Sequence, residues 1–255
     1  MPNAHQHNAF QPRARARRGA NASPSRLTLE TYEGIVGKYR NMALRELMDK
    51  KQAELMAAAR ELESVPENLS EARVSAVREA FARRKYPETV NVSESRRSHM
   101  VASEMVADFP KLKGLKVFGF GVGYGPLMFF LKSRGAKVRG VEIGVHSAEL
   151  ARMHGLEIIH GIDAADPILR KEGKFRITYS IDFMQKDVLG EGPRALAFLD
   201  NISAMTEKGG KSYHISLGSR AYLPFPVEEI KARGFRVEVK KTPGGYELFK
   251  FTKVR

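Results

Sequence analysis

The sequence predicts an α/β protein: a seven-stranded, mostly parallel sheet with an antiparallel last strand, preceded by accessory helices. Three observations predict it. From Lys113 onward, short β-branched or aromatic runs alternate with helical stretches, the pattern of βα units in a parallel sheet covered on both faces. The last two runs are joined only by KKTPGGY, a short Pro-Gly-Gly link that suits a hairpin and reverses the final strand. Before Lys113 the apolar residues recur at helical spacing instead.

Residues 1–26 carry five arginines and no acid, with few apolar residues, so they are expected to be a disordered basic tail. Residues 27–110 form the predicted helical accessory segment. Leu44, Leu47, Met48, Leu55, Ala59 and Leu62 mark a first helix within 29–63, and Gly34 and Gly37 move its expected start to near Tyr39. Pro66 closes it. Ser70 is a plausible N-cap for a second helix that places Val74, Val77 and Phe81 on one face and ends at Tyr86-Pro87. A third runs from about Ser93 to Asp108, with Val101, Met105 and Phe109 as its stripe and Pro110 as its stop. The remaining 111–255 is the predicted ligand-binding domain. Its strands read as Leu115–Phe120, Val138–Glu142, Leu156–His160, Phe175–Ile181, Lys211–Leu217, Phe235–Lys240 and Tyr246–Thr252, with helices between the first six.

The central motif is VFGFGVGYGPL, in which Gly119, Gly121, Gly123 and Gly125 alternate with larger residues. It follows a predicted strand and opens a predicted helix, Leu127–Ser133. Glycine permits φ > 0 and lets backbone approach a ligand where a Cβ would collide. The helix start offers free N–H groups to an anion. The next strand ends in VRGVEIG, with Glu142 at its carboxyl end, where an acid can accept hydrogen bonds from both hydroxyls of a ribose. Glu142 follows Gly119 by 23 residues, which fits one βαβ unit. A glycine turn beside a solvent-facing glutamate is the plain alternative, but the order strand, loop, helix, strand, acid favours a nucleotide-type cofactor. S-adenosylmethionine (SAM) and a dinucleotide both fit this much. The dinucleotide fingerprint G-x-G-x-x-G is matched in neither register, because its last glycine would fall on Tyr124 or on Pro126.

The alternating glycines resemble motif I of the class I SAM-dependent methyltransferases, and the likeness spans residues 111–255. GIDAADP resembles that family's adenine-contacting segment, and FRITYSIDFMQ its motif IV region at the catalytic mouth. TEKGGKSYHISL resembles the passage into the fifth strand, and GFRVEVKKTPGGYELFKF the closing strand pair. The resemblance implies a Rossmann-like methyltransferase sheet, a methyltransferase activity and SAM as cofactor. It implies that Gly119, Gly121, Gly123 and Gly125 shape the cofactor loop, that Glu142 holds the ribose and that Ile143 packs on the adenine. It also implies that Asp163, beside Ala164, takes the adenine amino group. One position departs from the pattern: the acid usually found two residues before the first loop glycine is here Gly119. That acid normally helps orient the loop or the amino end of the methionine part.

Methyl transfer is an in-line displacement that asks mainly for positioning, plus a general base when the acceptor is a hydroxyl or a protonated amine. Candidates for such a base lie at carboxyl ends of strands. Asp182 ends the fourth strand and is the first candidate, with a helix N-cap as its alternative role. His214 lies within the fifth strand, where a satisfied core histidine is the competing assignment. Tyr124 is placed to cover the cofactor and Tyr222 to line the acceptor pocket. Arg96, Arg97 and His99 read as a solvated charged face with a possible role in binding an anionic substrate.

Composition removes several classes. The 255 residues include no cysteine, which excludes disulfides, thiolate metal sites and a covalent cysteine mechanism. No metal-binding spacing is present, so no metal is expected. No 18-residue apolar run or secretory signal is present, so a cytoplasmic protein without membrane contact is expected. The formal net charge is +14. Residues 111–255 alone hold 25 basic and 15 acidic residues, so the predicted catalytic half is itself basic and suited to polyanions such as RNA, or to an acidic small substrate. The expected partner is a small-molecule acceptor, favoured slightly over RNA because no RNA-binding module is recognisable. Three alternatives stand beside it: a methyltransferase-like RNA-binding protein without activity, an NAD(P)-binding oxidoreductase, and an aminobutyl transferase using SAM. The last is suggested by a loose resemblance of the Gly-Tyr-Gly-Pro-Leu passage to nicotianamine synthase-like enzymes.

Overall fold

The computed structural model of the chain describes residues 27–63, 92–184, 186–217, 223–242 and 245–255. The basic segment 1–26, the helix expected after Ser70, and Tyr222 lie outside the described residues.

Helix α1 spans Leu29–Glu63 and helix α2 spans Val92–Asp108. α1 starts ten residues before Tyr39 and runs straight through Gly34 and Gly37. Each glycine costs about 1 kcal/mol in a helix. Against that, Tyr32, Val36, Tyr39 and Ala43 form a buried stripe at successive turns. Burying one large apolar side chain contributes about 1.5–3 kcal/mol, so the stripe outweighs both glycines. In α2, Val101, Ala102 and Met105 are buried. Its last turn is tied to the sheet by charge: Asp108 accepts from the Tyr213 hydroxyl at 2.7 Å and lies 2.6 Å from Lys211 and 3.2 Å from Lys250. Burial alone would raise the Asp108 carboxyl, but the hydrogen bonds from Lys211 and Tyr213 and the charge of Lys250 hold it below the usual range.

The sheet then builds as β1 (Lys116–Phe120), α3 (Pro126–Ser133), β2 (Lys137–Glu142), α4 (Val145–Met153), β3 (Glu157–His160), a short 3-10 helix (Pro167–Glu172) and β4 (Phe175–Ile181). It continues as α5 (Lys186–Leu189), α6 (Pro193–Met205), β5 (Thr206–Leu217), α7 (Val227–Ala232), β6 (Phe235–Lys241) and β7 (Tyr246–Lys253). The strand order is β3-β2-β1-β4-β5-β7-β6. β1 to β5 pair in parallel, and β7 inserts antiparallel between β5 and β6. β5 begins earlier than expected, because Thr206 pairs with Phe175 across an irregularity before Lys211 pairs with Ile177.

Alternation along the strands divides the core in two. Val117, Ile177, Tyr179, Tyr213 and Ile215 face one layer with α1 to α4. Phe118, Phe120, Phe249 and Phe251 face the other, against Phe198, Leu199 and Ile202 of α6. The accessory helices therefore share a core with the sheet. Among the described residues no helix is long and apolar enough to cross a membrane.

Candidate functional site

The glycine loop lies between the carboxyl end of β1 and the start of α3. Gly121, Gly123 and Gly125 have φ of 62°, 57° and 84°, the left-handed region that a side chain rarely tolerates. The Gly121 amide donates to the Val141 carbonyl at 2.9 Å, which ties the loop to β2. Glu142, at the end of β2, completes the turn. Its carboxylate accepts from the Gly123 amide and from the Gly144 amide, each at 2.7 Å. Beside it Ile143 is 63% exposed, a large apolar side chain left at the rim. Loop, acid and apolar rim thus meet at one end of the sheet.

The loop is also held from behind. The Tyr39 hydroxyl of α1 donates to the Tyr124 carbonyl, and the Tyr39 ring stacks on Phe129 at 4.4 Å. Tyr124 is buried in that packing. In front, a side chain at Gly121 would meet the Phe183 ring at 2.8 Å, so Phe183, just past β4, lies over the loop.

Three of the expected cofactor residues also make contacts within the protein. Gly119 sits inside β1, where a Cβ would lie 2.4 Å from Val122 and 2.7 Å from the Tyr179 ring. Its missing side chain makes room for this packing. The same contacts explain the departure from motif I, because Val122 and Tyr179 fill the space an acid would need. Ala164 is buried in the second core, and its carbonyl accepts from Asn201 at 2.9 Å. Asp163 accepts from the Ala165 amide at 2.8 Å and from Arg194 at 2.9 Å. Burial would raise its carboxyl, but those two donors outweigh it and hold it low. Arg194 thus shares the carboxylate expected to face an adenine.

The two catalytic candidates separate. His214 is fully buried, with Nδ1 2.8 Å from the Ser180 hydroxyl and Nε2 2.7 Å from the Ser212 hydroxyl. Burial pushes its pKa down to about 3. It is a neutral core histidine in a ladder of hydroxyls between β4 and β5, away from solvent. Asp182 does stand at the mouth, with φ 55° and its amide bonded to the Ile215 carbonyl at 2.8 Å. Its carboxylate lies 2.5 Å from Arg97 of α2, a side chain almost wholly buried. The Arg97 guanidinium also lies 5.6 Å from the centre of the Tyr246 ring. Arg97 is therefore no solvated face. The signal was present in its spacing, since Arg97 precedes Val101 and Met105 by one and two turns on the same stripe.

No family model matches the sequence, and neither does any curated protein. Solved structures do match. A protein of Pyrococcus horikoshii OT3 is 18% identical, with a TM-score of 0.52 over 67% of this chain and 95% of that one. A magnesium protoporphyrin IX methyltransferase of Synechocystis PCC 6803, solved with bound SAM, is 19% identical, with a TM-score of 0.48 over 74% of this chain and 99% of that one. The observed strand order, with β7 alone reversed, decides the architecture. The chain has the class I methyltransferase fold. In this methyltransferase fold the glycine loop, Glu142 and Asp182 all stand at the carboxyl ends of β1, β2 and β4, where open α/β sheets bind ligands.

Proposed function

We propose that the protein is a SAM-dependent methyltransferase acting on a small-molecule acceptor. The observation that carries this is the Glu142 carboxylate spanning Gly123 and Gly144 at 2.7 Å each, beside the exposed Ile143. A carboxylate oxygen has further lone pairs after one amide bond, so Glu142 can accept from a ribose while it fixes the loop. Ile143 offers an apolar surface for a purine ring. Left-handed backbone at Gly121 and Gly123 turns the loop sharply beside that carboxylate. These residues fit SAM, which when bound supplies a methyl group on a sulfonium.

On the acceptor side Asp182 orients more than it abstracts. Arg97 already neutralises its charge, and the pair is fixed by burial of the guanidinium. An N–H or O–H of an acceptor can donate to the exposed edge of that carboxylate, which aims the nucleophile. Phe183, over Gly121, and Tyr246, beside Arg97, offer aromatic faces on which an acceptor can pack. With alignment supplied by these groups, the displacement depends chiefly on proximity.

Isothermal titration with SAM and with S-adenosylhomocysteine tests the reading. The wild-type protein is expected to bind both, and Glu142→Ala and Gly123→Asp to lose or sharply weaken both. A folded wild-type protein that binds neither refutes it.

A further inference from the structure

The strand ends opposite the glycine loop carry an unbalanced positive charge. Lys116 opens β1, Lys137 opens β2, and the two are register partners. One position further along, Val117 pairs with Ile177, which brings Arg176 of β4 to the other side of Lys116. Adjacent strands lie about 4.8 Å apart, so three cations begin three neighbouring strands. The turns add to them. Lys113 packs against Gly135, whose carbonyl takes the Gly114 amide at 2.8 Å, and Arg134 directly precedes that glycine. Lys174 leads into β4. Five of these six side chains are exposed, and Arg176 is half-buried over the Phe109 ring at 5.4 Å.

Carboxylates do little to offset them. Asp108 is taken by Lys211 and Lys250, and Glu172 by Arg139. Among the described residues, Glu157 and Glu207 also stand near these strand starts. Among the described residues none of the six cations is ion-paired to a carboxylate. The surplus is felt nearby: burial first, and then the charge of Lys174, lowers the proton affinity of Lys253. Like charges side by side on a sheet cost stability, and a field of one sign concentrates the opposite charge at the surface.

We propose that this pole binds the phosphodiester backbone of a nucleic acid. Its cations sit on strand ends and turns as an extended, mutually close set, which matches a repeating line of phosphates. A membrane surface is matched less well, because lasting attachment there asks for an apolar helix face beside the cations. The pole is separate from the proposed acceptor mouth. Strands of five and seven residues set the two ends about 17–23 Å apart. The inference does not depend on SAM binding or on methyl transfer.

Fluorescence anisotropy with a labelled 20-nucleotide oligouridylate, across a salt series, tests it. The triple variant Lys113→Glu/Arg134→Glu/Lys137→Glu is compared with Lys38→Glu/Arg45→Glu/Lys241→Glu, which makes the same change in net charge at exposed sites elsewhere. The wild type is expected to bind, with affinity falling steeply as salt rises. The pole variant is expected to lose about tenfold or more, and its log–log salt slope to shrink by about 2 if three phosphate contacts go. The control variant is expected to keep most of the affinity. Circular dichroism checks folding, and Lys113→Gln/Arg134→Gln/Lys137→Gln replaces the reversal if it misfolds. Absence of RNA binding by the wild type, equal loss in both triple variants, or binding of phosphatidylserine vesicles in preference to RNA would overturn the proposal.

Discussion

Gly119 is the position where the sequence departs from the glycine motif it resembles, and adding a single methyl group there tests why. A Cβ at Gly119 would lie 2.4 Å from Val122 Cγ1, 2.7 Å from Tyr179 Cζ and 2.8 Å from the Tyr179 hydroxyl. All three are below the 3.0 Å that real Cβ atoms respect. Gly119 is not among the residues of positive φ, so alanine brings no backbone strain and the whole cost is contact. Overpacking of this kind costs about 1–3 kcal/mol, and the stiffer unfolded chain returns about 0.4–1 kcal/mol. A net loss of about 1–2 kcal/mol is expected for Gly119→Ala, or a fall in Tm of about 2–8 °C for a domain of this size. Urea unfolding of four proteins measures it: wild type, Gly119→Ala, Val122→Ala and the double variant. Because Val122 makes the shortest contact, the alanine at 119 should cost clearly less when Val122 is already truncated. Gly119→Asp, which restores the usual acid, should be worse than Gly119→Ala, since it adds a carboxylate to the same crowded place. A Gly119→Ala protein within about 0.5 kcal/mol of wild type, or no relief in the double variant, would refute the steric account.

Three further outcomes are expected. His214 has a folded pKa near 3 against an ordinary value of 6.5, so its contribution to stability is complete above pH 6.5. It is lost as pH falls toward 3, at about 1.4 kcal/mol per unit; urea midpoints between pH 4 and 7 should show that slope, and a His214→Gln protein should show less of it. Tyr39→Phe removes the donor to the buried Tyr124 carbonyl and should cost about 1–3 kcal/mol, with faster amide exchange in the loop as the readout that separates it from a general loss. Asp182→Ala removes the carboxylate 2.5 Å from the buried Arg97 guanidinium and should lower the urea midpoint measurably, while Asp182→Asn, which keeps a hydrogen-bond acceptor, should lower it less.

Strand positions were the most legible part of the fold. Seven apolar runs bounded by turns place seven strands to within a few residues, because alternation of β and α stretches is a local signal. The start of α1 was not legible, since the stripe from Tyr32 to Ala43 outweighs the glycines only once α3 is there to receive it. In the site, the alternating glycines and Glu142 could be read because their spacing is local too. The packing of Ala164 and Gly119 could not be read, because what fills the space around them comes from Asn201, Val122 and Tyr179, brought in by other parts of the chain. Arg97 could have been found: a charged residue in register with an apolar stripe is a buried ion awaiting a partner.

The hydrogen bond from Tyr39 to the Tyr124 carbonyl joins residues 85 positions apart. During synthesis α1 emerges first and has nothing to rest on until the first strand and its loop have followed it. Closing so long a chain segment carries an entropic cost that local turns do not. The glycine loop is therefore held from behind only once α1 has docked, so releasing α1 should loosen the loop, read as faster amide exchange at Gly121–Gly125.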